Sequence, residues 1–195
     1  MSSAPARATN PLGASSYTAA QSRVIEAALL LFAEHGVSGT SLQMIADAIG
    51  VTKAAVYHQY HTKDAIVLAV AQVVLARLEA AVTAAESQRS RARARELLVA
   101  RMIDLAVERR RVASVLQRDP VMLRCLDEHE PFRRVMVRVN HLLMGGASDA
   151  AARVRAATLA ATIAGAVIHP LVLELDDETL RAQLLEQARK LLAPR

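Results

Sequence analysis

The chain has 195 residues, 53% of them hydrophobic, with 3% aromatics, no Trp, seven Gly and six Pro, the composition of a helical protein with an aliphatic core and enough chain to bury one without staples. Its single Cys125 excludes an intramolecular disulfide, so a buried free thiol in a reducing cytoplasm is expected. The net charge of +5 is unevenly placed: residues 17–86 hold four basic and six acidic groups (net −2), whereas residues 87–155 hold fifteen Arg against eight acids (net +7). Any affinity for nucleic acid must therefore come from where charges stand, not from their sum.

The start, MSSAPARATNPLGASS, lacks the apolar core of a signal peptide and reads as a flexible tail over 1–16. A first helix is predicted from Thr18 to His35. Thr18 and Gln21 have capping-box spacing, Ile25, Ala28, Leu29 and Phe32 form a stripe, and Gly36 stops it. Thr40 with Gln43 repeats the capping spacing, with Ser41 as the other candidate cap. A short helix to Ile49 then buries Leu42, Ile45 and Ala46. Gly50 turns the chain. Thr52 caps a third helix, Lys53 to Gln59, and Thr62 caps a long fourth one to Glu86.

Two short helices joined by a glycine turn read as a helix-turn-helix. In such a unit the start of the second helix reaches base edges in the major groove. Here that start is Thr52, Lys53 and Ala54. Lys53 can donate to guanine, and a small Ala54 allows close approach. Tyr57 and His58 follow as phosphate donors, which set register without reading sequence. Lys63, in the first turn of the fourth helix, is a further phosphate candidate, and Thr40 and Ser41, at the start of the second helix, complete the predicted DNA contacts. His58 and His61 do not make a metal pair: a turn separates them and no third ligand is near.

The segment RVIEAALLLFAEHGVSGTSLQMIADAIGVTKAAVYHQYHTKDAI resembles the N-terminal domain of TetR (tetracycline-repressor-type) regulators. The resemblance rests on AA-x-x-x-F-A-E-x-G from Ala27 to Gly36, G-T-S at 39–41, I-A at 45–46, G-V-T-K at 50–53, V-Y-H at 56–58 and T-K-D at 62–64. It implies an all-α fold, with a three-helix DNA-binding domain over 17–64 and a helical ligand-binding and dimerisation domain over 65–195. It implies a homodimer formed through the last two helices, on double-stranded operator DNA, with an unidentified small effector. The chain departs from the family's pattern at Ala54, where Gly is common, and at Tyr60, where Phe is common. The Tyr60 hydroxyl needs a partner near the core. Leu30 stands where a polar residue is usual.

Further helices are predicted near 91–109, 111–118, 120–128, 131–144, 149–173 and 177–192, with no strand signal. Residues 156–173 carry no charge and reach the lower length for a membrane span, but their Ala, Thr, Gly, His169 and Pro170 read as a buried helix. Ala157, Ala161 and Gly165 give it a small-residue face. Candidate effector contacts are Arg101, Met102, Asp104, Met136, His141 and His169, polar points and adaptable methionines in apolar helices. No nucleophile–base set, phosphate loop, cofactor motif or metal cluster stands at recognisable spacing, so an enzyme is not expected. The sequence reading is a cytoplasmic, ligand-responsive regulator, most simply a repressor. Its alternative is a helical interaction or lipid-binding protein with a vestigial helix-turn-helix.

Overall fold

A computed structural model describes residues 17–108, 110, 115 and 119–192. The expected N-terminal tail and most of the helix expected at 111–118 lie outside them. All regular structure among the described residues is helical. The elements are α1 (Ala19–Gly39), α2 (Leu42–Ala48), α3 (Lys53–Gln59), α4 (Lys63–Glu86), α5 (Arg91–Glu108), α6 (Pro120–Glu128), α7 (Glu130–Met144), α8 (Ala150–Ala166) and α9 (Asp177–Leu192), with a 3₁₀ turn at Pro170–Val172.

The capping chemistry explains most boundaries. Thr18 and Gln21 close a reciprocal capping box at α1. Gly36 breaks α1 with φ 72 and ψ 164, a conformation a side chain would strain, so the helix proper ends near the predicted His35. Ser41, not Thr40, caps α2, and Thr52 and Thr62 cap α3 and α4 by accepting from Ala55 and Ala65 N–H. Asp119 caps α6 with Pro120 at its first position.

Two apolar clusters share α4. The first joins Ile25, Phe32, Ile45, Val56, Ile66 and Val70, runs along α4 to Val73, and takes in Val115, Met122 and Leu126. The second begins at Leu75 and gathers Val82, Leu98, Ile103, Val139, Leu159, Ile163 and Leu184. The head's cluster thus continues past residue 64 and recruits α6 from far along the chain. Phe32, at 1% exposure, and Ile103, at 0%, are the centres of gravity of the two. Removing either side chain down to Ala would cost about 2–5 kcal/mol.

The uncharged run 156–173 is not one buried helix. α8 ends at Ala166, His169 and Pro170 start a separate turn, and Leu171 and Leu173 are 86% and 61% exposed. Pro170 lacks the N–H a continuing helix needs. The helix long and apolar enough to span a bilayer is instead α4, which is wedged between the two clusters.

Candidate nucleic-acid interface and ligand region

The interface is built by burying very little of α3. Val56 is its one buried residue, and it locks the helix onto α1 and α2. Thr52, Lys53, Ala54, Ala55, Tyr57 and His58 are left exposed, with Tyr57 at 53%. The Tyr57 ring meets His61 edge-on, 5.2 Å between centroids. His61 is itself exposed. Its spacing of four from Tyr57 is the signal for the contact, although the helix ends between them. Arg23 steadies α2 by donating from Nη2 to the Ile49 carbonyl at 2.9 Å.

The structure gives two predicted contacts other tasks. Thr40 is 2% exposed, and its hydroxyl donates to the Gly36 carbonyl at 2.8 Å, tying off the end of α1. The Lys63 ammonium donates to the carbonyls of Val37, Ser38 and Thr40 at 2.9, 3.3 and 3.1 Å. It therefore clamps the α1–α2 connection and is not poised toward a phosphate, because three carbonyl oxygens already occupy its three donors. Ser41 remains exposed, with its Oγ accepting from Met44 N–H.

Sequence reasoning missed Asp119 as a head residue. Its Oδ2 accepts from Val37 N–H at 2.7 Å, while its Oδ1 accepts from Val121 and Met122 N–H. One carboxylate thus caps α6 and holds the loop that leads into α2. The Asp-Pro pair advertises the cap; the tie to Val37, 82 residues away, has no sequence signal. Tyr60 is buried at 8% exposure, and its hydroxyl finds no partner among the described residues. Burial, with Tyr17 nearby, pushes its phenol up to about 12.

The six candidate effector contacts do not converge. Asp104 accepts from Arg181 Nε at 2.6 Å and lies 4.0 Å from Arg101, which is exposed, so these three form a surface ion cluster between α5 and α9. His169 is exposed, and its Nδ1 accepts from Leu171 N–H, capping the 3₁₀ turn. His141 lines a concavity at the far end of α4. Only Met102 and Met136 lean on the same apolar cluster, between α4, α5, α7 and α8. Arg101 and His141 are exposed on their helices, Asp104 is half-buried in the ion cluster, and His169 lies outside α8 at the start of the 3₁₀ turn.

Helix-turn-helix geometry with an outward, capped second helix defines a DNA-binding regulator. Residues 24–70 match the family described as bacterial regulatory proteins, tetR family. No curated protein matches the sequence. Solved structures match along nearly the whole chain. A transcriptional regulator from Rhodococcus sp. Rha1 is 25% identical at a TM-score of 0.62, covering 90% of this chain and 96% of that one. The ketosteroid transcriptional regulator KstR2 of Mycobacterium tuberculosis is 17% identical at 0.70, covering 88% and 94%. The fatty acid degradation regulator FadR from Bacillus halodurans is 19% identical at 0.67, covering 91% and 96%. Residues 24–70 thus carry the DNA-binding segment of tetR-family regulators, and the fold is shared with these solved structures from the first helix to the last.

Proposed function

We propose that the protein is a cytoplasmic repressor that binds a palindromic operator as a homodimer and leaves it when a small, largely apolar effector binds. The observation that carries the DNA reading is α3 itself: it buries Val56 alone and turns Lys53, Ala54, Tyr57 and His58 outward behind a Thr52 cap. Lys53 and Ala54 meet base edges, and Tyr57, His58 and Ser41 fix the register on phosphates.

The homodimer forms through α8 and α9. In support, Val154, Ala157, Ala161 and Gly165 make an exposed, small and apolar face along α8, and a Cβ added at Gly165 would meet nothing within 4 Å of its own chain. Two recognition helices about 34–36 Å apart would then read two half-sites one DNA turn apart. The effector contacts Met102 and Met136 among the apolar side chains between α4, α5, α7 and α8, a reading supported by their adaptable thioethers. KstR2 and FadR are named for ketosteroid and fatty acid degradation, which is compatible with an apolar effector here. Release follows from differential affinity: an effector that prefers splayed heads lowers operator affinity by that preference alone.

Selection of sites from random duplex DNA tests this, with the Lys53→Ala/Tyr57→Ala protein in parallel. The expected result is a palindrome enriched by the parent alone. No enrichment by folded parent protein, or equal enrichment by the variant, overturns the assignment of α3 as the reader.

A further inference from the structure

The arginine run that opens α5 is not absorbed by DNA binding. α4 has 24 residues, so its end lies about 35 Å from the head end, too far for the operator held by α3 to reach. At that end Glu86, Gln88, Arg89, Arg91, Ala94, His141, Leu142, Gly145 and Gly146 enclose a concavity of about 260 Å³. The one carboxylate there, Glu86, is already matched: Arg138 donates to both its oxygens, at 3.0 and 2.6 Å, and holds the carboxyl below its usual range. Arg89 and Arg91 have no carboxylate within ion-pair reach among the described residues, so the lining carries a cationic excess.

Two arginines here pack against a glycine turn. Gly145 and Gly146 both turn left-handed, with φ 64 and 89. Their bare Cα atoms admit guanidinium groups: a Cβ at Gly146 would collide with Arg91 Nη1, and one at Gly145 would lie 3.0 Å from Arg95 Nη1. Behind this lining, Arg95 Nε is buried and has no hydrogen-bond partner among the described residues. Arginines left without a carboxylate around a concavity are what a site looks like when its anion supplies the missing acceptors.

We propose that this concavity binds a phosphoryl group, held by Arg89 and Arg91 with His141 as a third donor. A flat carboxylate is satisfied by one guanidinium fork, whereas donors arriving from two helices and a turn suit a tetrahedral, multiply charged oxyanion. The site is separate from the apolar effector region, and its test is independent of operator binding.

The full-length protein would be titrated calorimetrically with inorganic pyrophosphate at fixed ionic strength. In a second arm it would be sedimented with phosphatidylglycerol-containing and pure phosphatidylcholine vesicles. The first arm reports a soluble phosphorylated ligand, the second a lipid headgroup. Arg91→Gln should weaken the positive arm about 10- to 100-fold, from loss of charge-assisted hydrogen bonds. Arg153→Gln, an exposed arginine on α8, should change nothing. Glu86→Gln should tighten binding by removing the lining's carboxylate, a gain that a misfolded variant cannot mimic. Binding in neither arm, equal binding by Arg91→Gln, or weakening by Glu86→Gln overturns the proposal.

Discussion

The recognition helix and the start of α5 both offer cations to solvent, but they are built by different rules. α3 stands in a segment with net charge −2 and presents few polar groups, each placed by a cap, a turn and one buried valine. α5 opens in a segment with net charge +7, and only some of its arginines are engaged by carboxylates: Arg110 with Asp177, Arg134 with Glu130, and Arg138 with Glu86 among them. Charge density therefore does not mark the proposed DNA face. Exposure on a helix whose orientation is fixed from behind does.

The sharpest way to break this comparison is to remove what fixes the head. Phe32→Ala should cost about 3–5 kcal/mol of stability by urea unfolding. Because α4 belongs to both clusters, the loss should appear as one shifted transition. Two separate transitions would mean that head and body unfold independently. The Lys53→Ala/Tyr57→Ala protein should show the opposite pattern. Operator affinity should fall about 100-fold, as two charge-assisted or phosphate contacts would give, with the urea midpoint unmoved. A shifted midpoint would mean that these side chains hold the fold, contrary to their exposure.

Asp119→Ala asks whether the head is positioned locally or from the body. It removes the α6 cap and leaves Val37 N–H unpaired, so stability should drop by about 2–3 kcal/mol. Operator affinity should fall with it, since the α1–α2 loop is anchored there. Unchanged binding by the remaining folded protein would show that the local design suffices.

Tyr60→Phe should stabilise by about 1 kcal/mol, since it deletes a buried hydroxyl that has no partner among the described residues. Its pH signature has a definite sign. The folded phenol titrates at about 12, above the ordinary 10.0, so its contribution is intact below pH 10 and is lost as pH rises toward 12. The variant should lose less stability over that range, and a parallel alkaline curve would show that the hydroxyl is solvated.

The smallest effect is expected at Glu86. Its folded pKa lies below the ordinary 4.5, so the stability it shares with Arg138 is present above that pH and fades as pH falls through the lowered value. Exposure and salt keep the effect slight. Glu86→Gln should flatten only this acid limb, as read by thermal unfolding at low and moderate pH. A change confined to neutral pH would contradict the assignment.

The head was legible because its information is local. Thr18 with Gln21, Ser41, Thr52 and Thr62 cap their own helices, and Gly36 and Gly50 turn left-handed where the sequence placed its breaks. Each of these features is decided within about four residues, the reach of one helical turn. The body's helices were legible for the same reason, apart from α8, where Pro170 ended the pattern early.

Contacts between distant segments were decided only by tertiary structure. Lys63 turned inward to three carbonyls, Asp119 reached Val37, and the polar candidates fell at three separate places, Arg101 with Asp104, His141, and His169. Helical period tells which residues share a face. Which face meets which, and which donor finds which carbonyl, depends on how the two clusters close around α4. The amino-acid sequence alone thus determined an all-helical chain with a DNA-reading head. Packing decided which of its cations stand exposed on α3, which hold the protein together, and which stand at the far end against a glycine turn.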